Sequence, residues 1–276
     1  MRILLKVAYD GTSYCGFQVQ PDAITVEGTL KTAVEGLLNS MGIVTPVELI
    51  GASRTDSGVH ALGNVVVFDA DIRMDAGRVA HALNTRLPDD IRIVGSVQVP
   101  DDFHPRKTDC IKTYEYRIWH SEFENPKERL YSTHLYGKLD IDAMRAAAAF
   151  IPGEKDFSSF CGAGSQAESH VRDVKSVEII TERAGAEGCA AQKSGANGRA
   201  DSCTAPGVVT IRVKGTGFLY NMVRIIAGTL IEVGQGKKSP EDVKRIIDAK
   251  DRTLAGPTAP AKGLTLVGIE YPEARG

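Results

Sequence analysis

The sequence predicts an α+β fold in which two related halves share a mixed, mainly antiparallel sheet flanked by helices. Strand-like alternation and helix-like i, i+3, i+4 spacing follow one another before residue 100 in the order strand, helix, two strands, helix, strand. This is the element order of a split ferredoxin-like or RRM-like unit. A weaker version of the order begins near residue 113. We therefore expect two pseudo-symmetric halves, residues 1–105 and 106–276, with a cleft between them.

The elements of the first half have clear boundaries in the sequence. A first strand ends at Asp10, and Thr25 precedes a helix whose apolar residues fall on one face. Residues 47–50 alternate as a strand, and residues 65–68 form a short continuous apolar run. The same half is completed by a helix from about Asp75 to Pro88 and a strand over residues 91–99.

The loop between the strands predicted over residues 47–50 and 65–68 carries more charged residues than a plain connection needs. Residues 51–61 read Gly-Ala-Ser-Arg-Thr-Asp-Ser-Gly-Val-His-Ala and place Arg54, Asp56 and His60 within seven positions. A tight hairpin turn takes about two to five residues, so this loop is too long for one. It is either a functional loop or an Asx-type turn in which Asp56 caps its own backbone and Arg54 is solvated.

The second half shows the same kinds of element with weaker patterns. Strands are predicted over residues 113–119, 174–180, 208–213 and 264–269, and helices over 140–150 and from Ser239, where a cap, an N1 proline and acidic residues come in order. Residues 184–207 are rich in Ala, Gly, Ser and Asn without periodicity, which predicts a mobile hairpin tip. Residues 256–260, Gly-Pro-Thr-Ala-Pro, predict an irregular loop.

One segment of the second half is apolar nearly all round. Residues 217–233 form a helix pattern of this kind, which is typical of a buried helix, and Arg224 is its only cation. An unpaired buried charge is costly, so Arg224 requires a partner, most naturally a carboxylate, and Asp56 is a candidate. Alternatively, Arg224 extends to the surface along its aliphatic stem.

Composition indicates a soluble globular protein. Hydrophobic residues make up 42% and charged residues 25% of the chain, and no apolar run approaches the roughly 18 residues that span a bilayer. The first ten residues alternate as a strand and do not resemble a signal peptide. We therefore expect a cytoplasmic protein with no membrane partner.

Cysteine, histidine and charge counts narrow the chemistry only slightly. The five cysteines form no Cys-x-x-Cys pair and the six histidines are scattered, so we predict neither a disulfide framework nor a metal site. A net charge of −2 argues mildly against a nucleic-acid partner. A basic cleft backed by acidic surface would give the same total, so RNA binding stays open.

From the residues alone, the function remains divided among three classes. Tyr114 and Tyr116 alternate on a strand with basic neighbours, which suits base stacking, although a tyrosine on a strand more often packs in a core. A non-catalytic RNA-binding module would not need Asp56 or Arg224. A glycosidase acting on nucleosides would normally need a second carboxylate, and no motif supplies one. The third class is an RNA-binding enzyme with a reactive carboxylate.

A set of motifs resembles the TruA family of tRNA pseudouridine synthases. The central one is Arg54-Thr55-Asp56-Ser57-Gly58-Val59-His60-Ala61, which has Ser57 where the family usually has Ala. Other motifs fall in the family's order from residue 3 to about 272: Tyr9-Asp10-Gly11-Thr12, Gly16-Phe17-Gln18, Thr25-Val26-Glu27-Gly28, Leu83-Asn84, Leu87-Pro88, Asp102-Phe103-His104 with Arg106, Lys112-Thr113-Tyr114-Glu115-Tyr116, Asp156-Phe157-Ser158-Ser159-Phe160, Phe218 to Gly228, and Gly256-Pro257.

The resemblance implies a role for each matched site residue. Asp56 corresponds to the catalytic aspartate, acting as nucleophile or base, Tyr114 to the tyrosine that stacks on the target base, and Arg224 to the basic residue paired with the aspartate. Arg224 would thereby keep Asp56 ionised. Arg54 and His60 resemble residues that contact the flipped nucleotide or its backbone. The resemblance further implies uridine isomerisation in the anticodon stem and loop of tRNA, no cofactor, no metal, and a homodimer.

Overall fold

The computed structural model describes residues 1–183 and 207–272. Two series of elements follow one another along the chain. The first contains β1 (Arg2–Tyr9), α1 (Val26–Ser40), β2 (Ile50–Gly51), β3 (His60–Asp69), α2 (Ala76–Asn84) and β4 (Ile91–Val99). The second contains β5 (Ile111–His120), β6 (Thr133–Leu135), α3 (Ile141–Ala148), β7 (Gly153–Asp156), β8 (Val171–Arg183), β9 (Gly207–Gly215), α4 (Met222–Gly234), α5 (Pro240–Ala249) and β10 (Leu264–Glu270).

All the described strands belong to one mixed sheet. Its main order is β4-β1-β3-β10-β5-β9-β8-β7, with β2 on β3 and β6 on β5. The first series therefore has the order β4-β1-β3-β2, and the second repeats it as β10-β5-β9-β8. The two series meet at the parallel pair of β3 and β10, where Thr265 lies opposite His60 and Leu266 opposite Ala61. The predicted fold, two related α+β units sharing one mainly antiparallel sheet, is confirmed.

The helices begin at the caps that the sequence indicates. The Thr25 side chain accepts a hydrogen bond from the backbone N–H of Gly28 at the start of α1. Asp75 caps α2 in the same way through the N–H of Gly77. Ser239 and Asp242 form a reciprocal capping box at the start of α5.

Several predicted boundaries are wrong by a few residues. Residues 47–49 lie outside β2 and do not pair with another strand. Their alternation instead reflects the burial of Val47 and Leu49. His60 and Ala61 belong to β3, so the charged loop ends at residue 59. The helix predicted over residues 217–233 starts only at Met222, after Asn221 with a left-handed φ of 59°. The short strands β6 and β7 carry no alternating apolar pattern and were not predicted.

The core is continuous through both series of elements. Helix α4 is buried on all sides, as predicted: Ile225, Ile226 and Leu230 are fully covered. Tyr116 is also fully buried, and its hydroxyl donates to the Pro260 carbonyl oxygen at 3.0 Å. Tyr116 is therefore a packing residue, and only Tyr114 of the two tyrosines faces the site.

Some predictions fall outside the described residues or concern absences. The hairpin tip predicted over residues 184–207, with Cys189 and Cys203, lies outside them except for Gly207. Within residues 1–183 and 207–272, Cys15, Cys110 and Cys161 are free thiols. The same part of the chain contains no cluster of three metal-ligating side chains and no helix long and apolar enough to cross a membrane.

Candidate active site

A cavity of about 940 Å³ opens where the two series of elements meet. Its walls come from the loop of residues 52–59, from β5, from residues 163–167, and from the turn that leads into α4. Four of the five predicted site residues line it: Arg54, Asp56, Tyr114 and Arg224. Asp56 is the only carboxylate among the described lining residues.

The loop that carries Asp56 is fixed by the turn that follows β1. The Tyr9 hydroxyl and Thr55 Oγ1 share a hydrogen bond of 2.8 Å, and the Phe17 N–H donates to the Thr55 carbonyl oxygen at 3.0 Å. Gly16 has a φ of 91°, and a Cβ there would lie 2.9 Å from the same oxygen. Only glycine combines that φ with so close an approach. The Gly-rich turn therefore supports the loop.

The loop is also fixed from within and from β3. The Val59 N–H donates to the Asp56 carbonyl oxygen at 3.1 Å, and Gly58 completes this turn with a φ of 75°. The buried Asn64 on β3 donates from Nδ2 to the Ser53 carbonyl oxygen at 3.0 Å. No backbone N–H of the described residues donates to the Asp56 carboxylate, so Asp56 is not the self-capping residue of an Asx turn.

Arg224 is anchored by three acceptors. Its Nε donates to the Ala259 carbonyl oxygen at 2.8 Å, and its Nη1 donates to Asn221 Oδ1 at 2.8 Å and to Asp56 Oδ2 at 3.3 Å. The Arg224 and Asp56 side chains are 16% and 23% exposed. Residues 256–260 do not line the cavity, but the Ala259 carbonyl oxygen orients the guanidinium towards the carboxylate from behind it.

The pKa of Asp56 reflects a competition between burial and this arginine. Burial raises the pKa, whereas the charge of Arg224 and its hydrogen bond lower it, and the balance lies above the ordinary value of 3.8. Arg224 acts in the direction expected from the sequence, but it does not fully offset burial. The result is a carboxylate that is more basic than one in water and is held in a fixed orientation.

Tyr114 forms part of the cavity wall. It lies on β5, is only 9% exposed, and contacts Phe218 edge to face with ring centroids 5.4 Å apart. Burial raises its pKa to about 12, against a hydrogen bond with Ser53 that lowers it and with a further small rise from the Asp56 charge. The side chain is therefore a neutral phenol held in a defined plane, which suits stacking on a base.

Arg54 and His60 occupy different environments although they flank the same aspartate. Arg54 is exposed on the rim of the cavity. His60 is buried and does not line the cavity: its Nδ1 accepts from the Gly11 N–H at 3.1 Å, and its Nε2 lies 3.0 Å from the Leu130 carbonyl oxygen. These contacts tie the loop to two other segments, and the predicted contact of His60 with the nucleotide stays a prediction.

Three residues that shape the site are given no role by the sequence. Ser53 and Asn221 line the cavity, and Ala259, which does not line it, acts through its backbone carbonyl only. Lys112 could have been found from the strand pattern, since it is two residues from Tyr114 and shares its face of the sheet.

Comparison with known proteins identifies the family. A model of the tRNA pseudouridine synthase family matches residues 6–106 and 146–272. A tRNA pseudouridine synthase A of Limosilactobacillus reuteri is 41% identical over 270 residues, which cover 98% of this chain and 96% of that protein. Proteins of the same name from Citrifermentans bemidjiense and Halalkalibacterium halodurans are 42% identical over 272 residues (98% of each chain) and 40% identical over 263 residues (95% and 90%).

Proposed function

Because this chain belongs to the tRNA pseudouridine synthase family, the isomerases that convert uridine in tRNA to pseudouridine, we propose that Asp56 is its catalytic carboxylate. The observation that carries the proposal is the cavity itself. Asp56 is the only carboxylate among its described lining residues, and it is partly buried, oriented by Arg224 and next to a flat aromatic side chain. These are the features that a reaction on a nucleotide requires when it depends on an ionised carboxylate.

The reaction has simple requirements. The bond between C1′ of the ribose and N1 of the uracil breaks, the uracil turns, and C1′ joins C5. The C5 proton is lost and N1 gains one, so no electrons are exchanged and no cofactor is consumed. A carboxylate can act as nucleophile towards the sugar or the uracil, or as base towards a sugar proton. Each of these roles uses the ionised, poorly solvated form of Asp56 that the cavity provides.

The other cavity residues provide substrate contacts in this proposal. A uridine within RNA must leave its stack, which costs a few kcal/mol, and stacking on Tyr114 offsets part of that cost. Arg54 lies on the rim, where its guanidinium reaches the RNA backbone or the displaced base. We assign His60 to the support of the Asp56 loop, because its ring nitrogens face the Gly11 and Leu130 backbone and the Asp10 carboxylate, outside the cavity lining.

The proposal extends to the target, assembly and location of the protein. The family resemblance supports uridines in the anticodon stem and loop of tRNA as targets, with two copies of the chain holding one tRNA between them. It also supports a cytoplasmic location, where tRNA is modified. Sedimentation of the protein with and without tRNA tests the homodimer directly.

The central test replaces Asp56 with Asn, which keeps the size and removes the charge. We expect Asp56→Asn to fold, to bind tRNA and to release no tritium above background from tRNA labelled at uracil C5, because no carboxylate remains in the cavity. Circular dichroism and filter binding check the first two points. Asp71→Asn is the matched control, since Asp71 is an exposed carboxylate outside the cavity lining and this variant should retain turnover.

Three outcomes would contradict the proposal. Tritium release by Asp56→Asn at the wild-type rate would show that another group performs the chemistry. Release from free uridine as fast as from tRNA would indicate a nucleoside enzyme, and no release by the wild-type protein would indicate an RNA-binding module.

A further inference from the structure

A lysine that the reaction does not use lies next to Tyr114. Side chains two residues apart on a strand point to the same face and are separated by about 7 Å. Lys112 and Tyr114 on β5 are related in this way, and both line the cavity. A nucleotide whose base stacks on Tyr114 would therefore place its ribose and a flanking phosphate along the strand towards Lys112.

The ammonium group of Lys112 lacks a counter-charge in the described part of the chain. Its Nζ donates to the Ala52 carbonyl oxygen at 2.9 Å, and no carboxylate of residues 1–183 and 207–272 forms an ion pair with it. Burial raises the pKa of the nearby Cys110 thiol above its ordinary value, so that side chain is neutral at pH 7. Burial, and more weakly Arg106, lower the pKa of Lys112. An anion would reverse both effects.

Two further groups on the same wall are also not fully neutralised or satisfied by the described residues. Arg106 lines the cavity near Lys112 and forms no ion pair among the described residues. Ser53 follows Ala52 and is 5% exposed, and apart from Tyr114, whose pKa it lowers, its Oγ has no hydrogen-bond partner among the described residues. A hydroxyl group has one donor and two acceptor positions, so the Ser53 hydroxyl keeps hydrogen-bonding capacity for a ligand in the cavity.

We propose that Lys112, Arg106 and Ser53 form a phosphate subsite, which binds the phosphodiester flanking the nucleotide that stacks on Tyr114. Two cations and a hydroxyl donor, without a carboxylate, match the charge and the hydrogen-bonding needs of a phosphate oxygen pair. The only lining carboxylate, Asp56, is already paired with Arg224. This inference rests on the proposed role of Tyr114 as the stacking residue.

The first experiment measures the salt dependence of binding to an unmodified tRNA transcript. Lys112→Met is made in the Asp56→Asn protein, so that turnover does not affect the measurement. One lost phosphate contact should reduce the slope of log Kobs against log salt by about 0.7 to 0.9. Lys112→Arg should keep the slope. Lys214→Met is the matched control, because Lys214 is on the adjacent strand opposite Thr113 and so faces away from Tyr114.

The second experiment locates the contact. Hairpin RNAs carry a neutral methylphosphonate at one of the phosphates flanking the target uridine. If Lys112 binds that phosphate, the wild-type protein loses affinity for one of the modified hairpins and Lys112→Met shows no further loss. The subsite would be overturned if the affinity losses caused by the methylphosphonate and by Lys112→Met were additive at every phosphate position. An unchanged salt slope in Lys112→Met would also overturn it. Tritium release by the wild-type protein, in which Asp56 is intact, tests the proposed function separately from the subsite.

Ser53→Ala provides a readout that does not depend on Lys112. If the Ser53 hydroxyl donates to a phosphate, its removal should weaken binding of the tRNA transcript while the melting temperature of the free protein stays the same. A lower melting temperature with unchanged affinity would show that the hydroxyl supports the fold and would remove Ser53 from the subsite.

Discussion

Asp56 shows how one side chain is set by opposing effects at the residue scale. Burial disfavours its charge and Arg224 favours it, and the net pKa lies above the ordinary value. The sign for stability follows. An acid whose folded pKa is raised destabilises the fold when it is ionised, and this cost disappears as the pH falls through the folded pKa. The cavity therefore holds an ionised carboxylate at some expense of stability, as the catalytic role proposed for Asp56 requires.

Arg224 should control the acid side of the pH–rate profile. We expect kcat/KM of the wild-type protein to decrease as the pH is lowered, because Asp56 becomes protonated. The midpoint of this decrease should lie above the ordinary pKa of an aspartate, because burial raises the pKa of Asp56. Arg224→Met removes both effects that lower this pKa, so its acid limb should move to higher pH and its maximal rate should fall. Tritium release measured across pH tests this expectation.

Arg224→Lys is the control for charge alone. It keeps a cation near Asp56 but cannot contact Asn221, Ala259 and Asp56 together as the guanidinium does. Its acid limb should move less than that of Arg224→Met while its maximal rate still falls. An acid limb at the same pH in all three proteins would contradict the account.

At the element scale, the position of Arg224 depends on how closely α4 approaches the loop of residues 256–260. The Gly256 N–H donates to Thr229 Oγ1 at 2.9 Å, and the Ala259 N–H donates to the Arg224 carbonyl oxygen at 3.1 Å. A Cβ at Gly228 would collide with the Pro257 carbonyl oxygen. The glycine is therefore required for the contact that lets the loop hold the arginine.

Gly228→Ala should destabilise the protein and impair turnover together. The added methyl group meets backbone, which cannot move aside as a flexible side chain would, and overpacking of this kind costs about 1–3 kcal/mol. Urea unfolding measures the loss. Gly36→Ala in α1 is the control: its Cβ would lie 4.0 Å from the Arg86 side chain, so helix propensity should leave stability equal or up to about 1 kcal/mol higher. Equal midpoints for the two variants would contradict the close-packing argument.

The sequence allows prediction of elements better than of their edges and contacts. Caps such as Thr25 and Ser239 act locally, so they can be identified without the fold, and the all-round apolar pattern of α4 predicts its burial. The different environments of His60 and Arg54 could not be predicted from the sequence. Strand β3 begins at His60 only because this end of the strand pairs with distant residues of β1 and β10. The anchoring of Arg224 by Asn221 and Ala259 depends on a left-handed residue and a backbone carbonyl, which no residue pattern specifies.

At the scale of the whole molecule, the two halves are joined by more than a linker. The parallel pair of β3 and β10 joins their sheets, and one continuous core includes residues of both. The candidate site needs both halves, since Asp56 comes from the first and Tyr114 and Arg224 from the second. A net charge of −2 is compatible with RNA binding because the described cavity lining has five cations and one carboxylate: Arg54, Arg106, Lys112, Arg172, Arg224 and Asp56.

This continuity predicts that the halves unfold together, although a boundary near residue 105 is expected from the sequence. Separating them would open the β3–β10 pair, break the ion pair of Asp56 and Arg224, and expose core residues on both sides. Hydrogen exchange of β1 and β9 peptides, followed by mass spectrometry across a urea series, should therefore give the same midpoint. The fluorescence of Trp119 on β5 provides an independent probe of the second half. If β1 lost its protection at clearly lower urea than β9, the halves would be independent units, and the cavity would form only when they dock.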